Sequence, residues 1–466
     1  MDTRSRTGNK QWFTGSVARL CLAGLVLLGA ACAHYGAVDK PLKHWTPELA
    51  QRVNKQLEGD RSEDLAVLVA FSGGGTRASA FAYGVLKELE ETRITTEQGS
   101  RSLLQEVDVI SSVSGGSFTA AYYGLYGEQI FTDFEERFLR KNVEGILLRK
   151  LFNPVNWVRL LSRGYGRSDL AADYYDKDLF DNATLAGLYR PGAPLVIINA
   201  TDLASGVRIP FSPDKLDLLC ADLDSYPVSR AVAASSAVPV VLSPITLENY
   251  AGSCGYQPPA WVAEALKDKY LTQERIEAQH IHDYLDRHKR PWLHLVDGGV
   301  SDNLGLRAYY EAFGMIGTPG ASLPALHHND ASRVIIISVN AHVQHKSDWI
   351  LERYAPSLFE IIGSVSADQI SSYSNDTIQL VRYTFDSWVK EVSTPEKPVT
   401  FYFVDVSFNH VDDDDERDFL NRIGTNLDLS DEQVDRLIAA ARKVLRESPD
   451  FQSFLNLKKP GSDPAP

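Results

Sequence analysis

Two short stretches carry the residues whose types and spacing could do chemistry. In ISSVSGGSF, residues 110–118, Ser114 stands among small residues directly after the apolar run EVDVI. In WLHLVDGG, Asp297 closes another strand-like run ahead of Gly298 and Gly299. A nucleophilic serine needs a sharp turn that lifts its hydroxyl clear of the sheet, a base in reach, and donors for a tetrahedral oxyanion. SVSGG matches the elbow pattern G-x-S-x-G, with Gly116 in its last place and Ser112 replacing the first glycine. Alone, this match favours close packing of a strand on a helix over catalysis, because small-residue runs are common at such junctions.

A third stretch changes the balance. Ser72-Gly73-Gly74-Gly75-Thr76-Arg77 lies between an apolar run and a helical pattern, where three glycines leave backbone N–H groups free to face an anion beside a positive helix end. No Gly-Lys-Ser/Thr follows the glycines, which argues against a nucleotide phosphate loop. An anion hole next to a serine points to acyl transfer. For the base, Gly298 and Gly299 allow a backbone turn that aims the Asp297 carboxylate inward, giving a serine–aspartate dyad without an imidazole. A carboxyl with a reference pKa of about 3.9 must then act by close hydrogen bonding in a dry site. The rival is a histidine triad. His327, His328, His342, His345 and His410 all follow Asp297, so the order Ser, Asp, His is available, although none sits in a recognisable motif.

Positioning these groups requires strands that end at turns. LAVLVAF (65–71), VDVISSV, PLVIINATD, WLHLVD and RVIIISVNA read as buried strands, and helical patterns follow the first two. Strands alternating with helices predict an α/β domain with a mostly parallel central sheet covered by helices on both faces. The expected organisation is a signal at 1–31, a polar tether at 32–62, a hydrolase-like domain at 63–345, a C-terminal helical extension at 346–460 and a disordered tail at 461–466. Helical insertions are expected near 129–168 and 259–290. Ser430-Asp431-Glu432-Gln433 reads as a capping box opening the final helix.

The ordered set GGGTR, SVSGG, ASSAVP (234–239) and DGG resembles the patatin-like phospholipase family, over residues 64 to about 310. Four motifs in order are specific where each alone is not. The resemblance implies a patatin-like three-layer α/β fold and hydrolysis of lipid acyl esters without a cofactor. It also implies Ser114 as nucleophile, Asp297 as base and the N–H groups of Gly73, Gly74 and Gly75 as oxyanion hole. Arg77 matches the basic position of the glycine motif, while Ala78 and Ser112 stand where many members have glycine. Both departures keep a small side chain and are expected to touch substrate fit. The expected substrate is a phospholipid or other acyl lipid, cleaved in the manner of a phospholipase A or lysophospholipase. A non-lipid carboxylesterase or thioesterase, and a catalytically silent envelope scaffold, are the alternatives.

The N-terminus predicts export. Arg4, Arg6, Lys10 and Arg19 precede LCLAGLVLL and GAAC, the layout of a signal peptide too short to span a bilayer. Small residues before Cys32 resemble a bacterial lipobox, with Gly29 where leucine is usual, which implies lipidation of Cys32 and a cell-envelope location. Ala33 carries no acidic retention signal, pointing to the outer membrane if the source has two. Cleavage after Ala31-Cys32-Ala33, releasing a soluble protein, is the alternative. Losing residues 1–31 removes four basic and one acidic residue, so the net charge of −14 becomes −17, which argues against a nucleic-acid partner. Cys220 and Cys254 then remain as a candidate disulfide for an exported chain, worth about 3–4 kcal/mol, with buried thiols as the alternative.

Residues 129–168 are rich in aromatic and aliphatic side chains and locally basic, including Arg149, Lys150 and Arg159. They read either as an amphipathic lid facing anionic headgroups or as helix faces packed on the core. The acidic run Asp412–Asp415 with Glu416 lacks the alternation of a calcium loop and is expected to start a helix. Asp302-Asn303 could line the site or cap a helix. No Cys/His spacing suggests zinc, so no metal is expected.

Overall fold

The computed structural model describes residues 38–96, 99–162, 164–315, 331–343, 353–354 and 358–456. The expected signal, Cys32, His327, His328, His345 and the 461–466 tail lie outside them.

Apolar runs flanked by glycine turns become strands, and the segments after them become helices. β1 (Leu65–Phe71) leads into α1 (Gly75–Glu91), and after the antiparallel pair β2 (Arg93–Thr96) and β3 (Gly99–Ser102), β4 (Val107–Val113) leads into α2 (Gly115–Tyr126). Next come α3 (Val143–Leu151), α4 (Pro154–Leu160), β5 (Leu195–Asp202), β6 (Arg208–Phe211), α5 (Val228–Ser235), β7 (Ile245–Glu248) and β8 (Trp292–Asp297). The chain continues through α6 (Arg307–Met315), β9 (Arg333–Asn340), α7 (Leu358–Val392), β10 (Thr400–Ser407) and α8 (Asp431–Glu447).

The main sheet runs β10-β9-β1-β4-β5-β8-β7, with β6 on β5. β10, β9, β1, β4 and β5 are mutually parallel, whereas β6 and β8 pair antiparallel with β5. This is the α/β fold expected, with an antiparallel end that the strand pattern did not reveal. Every residue of β1 and β4 is buried, which is why both read as unbroken apolar or small runs. Alternate side chains serve two cores. Leu65, Val67, Val69 and Phe71 face the larger one with α1, α2 and α8, while Ala66, Leu68 and Ala70 face Tyr309, Val381, Phe385 and Trp388 of α6 and α7.

The segment expected as a helical extension is built into this sheet. β10 pairs with β9 along eight positions, and α8 lies against α1. Its capping box forms as read, with Ser430 accepting from Gln433 N–H and the Gln433 side chain accepting from Ser430 N–H. The expected tether is also partly docked. Leu42 N–H donates to Cys220 O at 2.7 Å and Trp45 N–H to Cys254 O at 2.9 Å, so residues 38–46 strap across the Cys220–Cys254 disulfide, whose Cα atoms are 5.6 Å apart. Among the described residues no helix is long and apolar enough to cross a membrane.

The α1–α8 contact is close enough to need a glycine. A Cβ on Gly84 would lie 2.7 Å from Ile438 O and 2.9 Å from Ala441 Cβ. Gly84→Ala should therefore push α8 away and destabilise the fold by about 1–3 kcal/mol in denaturant unfolding. An unchanged midpoint would show that the two helices do not depend on this contact.

Candidate active site

Register explains how two groups 183 positions apart meet. β4 pairs with Leu195–Asn199, and β8 pairs with Ala200–Asp202. β6 pairs with Ile198–Thr201, overlapping both, so it occupies the opposite edge of β5. A strand residue has only two edges, and it follows that β4 and β8 share one edge of β5 and run towards each other. Val113 sits opposite Asn199 and Asp297 opposite Ala200, so the two strands abut end to end. Gly298 fits this junction because a Cβ there would lie 2.3 Å from Asn199 O and 3.1 Å from Val113 Cγ1.

Ser114 is the first residue past β4 and holds φ 50°, ψ −118°, an unusual conformation for a residue with a side chain. Its neighbours hold it there. Ser114 N–H donates to Ser235 Oγ at 2.8 Å, and Ser235 Oγ donates to Asn199 O at 2.6 Å. Asn199 Nδ2 donates to Ser111 Oγ and Ser112 O, each at 3.0 Å, and its Oδ1 accepts from Arg208 Nη1 at 2.6 Å. Ser112 is buried, its hydroxyl donating to Ile197 O at 3.1 Å. Ser112 thus braces the elbow, and Ala78 is likewise buried. Gly116 N–H donates to Ser72 O at 3.2 Å. A Cβ on Gly115 would meet Gly75 O at 2.0 Å, which shows how tightly the elbow and the glycine turn approach.

The Ser114 hydroxyl donates to Asp297 Oδ2 at 2.8 Å, and Gly299 N–H donates to Asp297 Oδ1 at 2.8 Å. Asp297 N–H and Gly298 N–H donate to the Ala237 and Ser235 carbonyls at 2.9 and 3.0 Å, tying the DGG turn to the ASSAVP segment. Burial pushes the Asp297 carboxyl up to about 6, against the opposing pull of the Gly299 and Ser114 hydrogen bonds. A carboxyl held near neutrality is a stronger base than a solvated one and still ionises at pH 7. Among the described residues no histidine bonds to Ser114 or Asp297. His410 Nδ1 instead lies 3.5 Å from Asp405 Oδ2, and His342 N–H donates to Asn340 Oδ1.

The glycine turn differs from expectation in one donor. Gly73 N–H donates to Asn303 O at 3.0 Å and is closed to an oxyanion, whereas Gly74 and Gly75 N–H have no acceptor among the described residues. A Cβ on Gly73 would lie 3.2 Å from Ser114 Cβ, so the turn lies against the serine. Arg77 does not face the opening. It is buried, with Nε donating to Ala341 O at 2.9 Å and Nη1 to Ile423 O at 2.6 Å, and burial pulls its guanidinium down to about 10. Thr76 N–H donates to Asn426 O at 2.9 Å. The loop before α8 therefore clamps the glycine turn from behind.

Ser235, Asn199 and Asn426 were not legible as site residues. Only Ser235 had a signal, its place in ASSAVP. Asp302 takes the capping reading, its Oδ2 accepting from Arg307 N–H at 2.7 Å at the start of α6, while Asn303 meets the glycine turn. Asp413 accepts from Glu416 N–H at 2.9 Å and caps the helix after the acidic run. The 129–168 insertion divides. Phe134 and Phe138 are core residues, but Leu148, Phe152, Val155, Trp157 and Leu161 are exposed. Of its basic residues, Arg159 pairs with Asp173 at 2.8 Å and Lys150 lies over the Tyr174 ring.

Residues 69–309 match the model of a family described as patatin-like phospholipase. Among solved structures, human GIVD cytosolic phospholipase A2 aligns with a TM-score of 0.46 at 13% identity, covering 91% of this chain and 69% of that one. The same human protein in complex with a methyl gamma-linolenyl fluorophosphonate inhibitor and terbium chloride aligns with a TM-score of 0.41 at 13% identity, covering 90% and 67%. No curated protein matches the chain in sequence.

The raised Asp297 pKa has a stability consequence. The folded state holds this proton up to about pH 6, while the unfolded chain releases it near 3.8. Stability from this group is therefore present below about pH 4 and lost as pH rises to about 6. Asp297→Asn should exceed wild type in unfolding free energy by about 1–3 kcal/mol at pH 8, with the gap closing by pH 4. A gap independent of pH would refute the burial argument.

Proposed function

The chain belongs to the patatin-like phospholipase family, a family of lipid acyl hydrolases, and on that premise we propose that it cleaves lipid acyl esters with Ser114 as nucleophile and Asp297 as base. The observation that carries this reading is the 2.8 Å hydrogen bond from the Ser114 hydroxyl to the buried Asp297 carboxylate. Ser114 Oγ attacks the ester carbonyl carbon as its proton passes to Asp297 Oδ2. The carbonyl oxygen becomes an oxyanion facing the N–H groups of Gly74 and Gly75, whose donors are oriented before reaction and so need no reorganisation. Collapse breaks the ester C–O bond, and Asp297 returns the proton to the departing alcohol, a lysolipid when the substrate is a diacyl phospholipid. Water then attacks the acyl-serine ester and gives its proton to the Asp297 carboxylate. Release of the fatty acid, with that proton returned to Ser114 Oγ, restores the dyad.

This is phospholipase A or lysophospholipase chemistry, performed at a membrane surface. Two features support that setting: the export-type N-terminus ending at Cys32, which would anchor the chain by a lipid in the cell envelope, and the exposed apolar side chains of α3 and α4. Mass analysis of products from mixed phospholipids should show free fatty acid and lysolipid with the wild type, and a loss of turnover of at least about 10³-fold in Ser114→Ala. Equal product from both proteins would sink the assignment. The acidic limb of kcat/KM should fall tenfold per pH unit below about pH 6, where Asp297 is protonated. A limb governed by an ordinary carboxylate near pH 4 would remove Asp297 as the base.

A further inference from the structure

The segment after Ser235 carries an arrangement that water does not favour. Val238, Val240 and Val241 are 39%, 69% and 64% exposed, and Val240 holds φ 73°. A β-branched residue in the left-handed region is strained, and this one gains no packing in return because its side chain projects from the surface. Glycine or asparagine would hold the same turn at lower cost in water. The turn itself is well tied down. Arg167 Nη2 donates to Val240 O at 2.9 Å, and Ser168 N–H donates to Ser243 Oγ at 3.1 Å.

Its place in the fold gives these valines a partner. Ala237 O accepts the Asp297 N–H, so the loop starts at the proposed base, and Val300, half exposed, lies three residues beyond it. Arg167, which holds the Val240 carbonyl, follows seven residues after α4, where Trp157 is 51% exposed, and Phe152 before it is 71% exposed. The valines thus follow directly on the segment whose backbone holds Asp297. Arg149 and Arg167, exposed, bracket the stretch of chain that carries Phe152 and Trp157, in a chain of net charge −14. An ester bond lies at the boundary between headgroups and acyl chains, and a hydrolase acting there needs apolar groups on the acyl side and cations on the headgroup side.

We infer that the Val238–Val241 loop, with Val300 and the exposed face of α4, enters the acyl layer of an anionic lipid surface and sets the site at the depth of the ester bond. The inference rests on the lipid-hydrolase reading for its choice of partner. Its test does not use hydrolysis.

The experiment measures partition of the full chain carrying Ser114→Ala and Cys32→Ser, so that neither turnover nor an acyl anchor contributes. The probe is vesicles of phosphatidylcholine with phosphatidylglycerol, sedimented with the protein. Adding Val240→Gly and Val241→Asp should weaken partition by about tenfold or more. Val240→Gly alone should weaken it while leaving the thermal midpoint equal or higher, because glycine relieves the left-handed strain. Leu271→Asp, at an exposed leucine between helices of the 259–290 insertion, should leave partition intact. Unchanged partition in the valine variants, or an equal loss in Leu271→Asp, would overturn the inference. Normal partition loss with no lipid product from the Ser114 protein would instead retain the docking surface and refute the hydrolase.

Discussion

Everything at this site depends on two strands meeting end to end along one edge of β5. β4 arrives parallel and β8 antiparallel, and β5 hands over from one partner to the other between Asn199 and Ala200. A parallel sheet alone would bring strand ends together only side by side, a strand spacing of about 5 Å or more apart. The reversed strand places the last residue of β8 against the first residue past β4, within a single hydrogen bond. The small residues at the junction follow from this geometry, since no Cβ fits at Gly115 or Gly298.

The same crowding sets the electrostatics. Asp297 is shielded by the abutting strands and the α5 segment, and receives two hydrogen bonds where an unpaired buried carboxylate would be far costlier. Its raised pKa is the outcome of incomplete compensation. Ser114 is held from the opposite side by two neutral side chains, Ser235 and Asn199; Arg208, bonded to Asn199 behind them, is paired with Glu311. Among the described residues no positive group stands against the carboxylate to lower its basicity, and Arg77, the basic residue of the glycine motif, spends its donors on the Ala341 and Ile423 carbonyls.

Much was legible in advance. The buried strands announced themselves as unbroken apolar runs, and the elbow, glycine turn and DGG turn as small residues at strand ends. The reading failed where a feature depended on partners distant in sequence. Residues 346–460 looked like a helical extension, because local periodicity does not name the neighbour of a strand, and the neighbour of β10 is β9. Residues 38–46 looked like a tether, because the backbone hydrogen bonds that dock them to Cys220 and Cys254 leave no trace in side-chain pattern. Gly73 looked like an oxyanion donor until Asn303 O was found to accept its N–H.

The sequence by itself determined which residues are small, which are buried and which carry reactive groups, since these are local properties of side-chain type and spacing. It thereby determined the fold class and the identity of Ser114 and Asp297 as candidates. Only the tertiary structure decided that they touch, that Gly73 N–H is spent on Asn303 O while Gly74 and Gly75 N–H meet no acceptor among the described residues, and that Arg77 is a brace. Those outcomes are set by strand direction, register and backbone hydrogen bonding across some hundreds of residues, and the backbone groups that make them are chemically the same at every position.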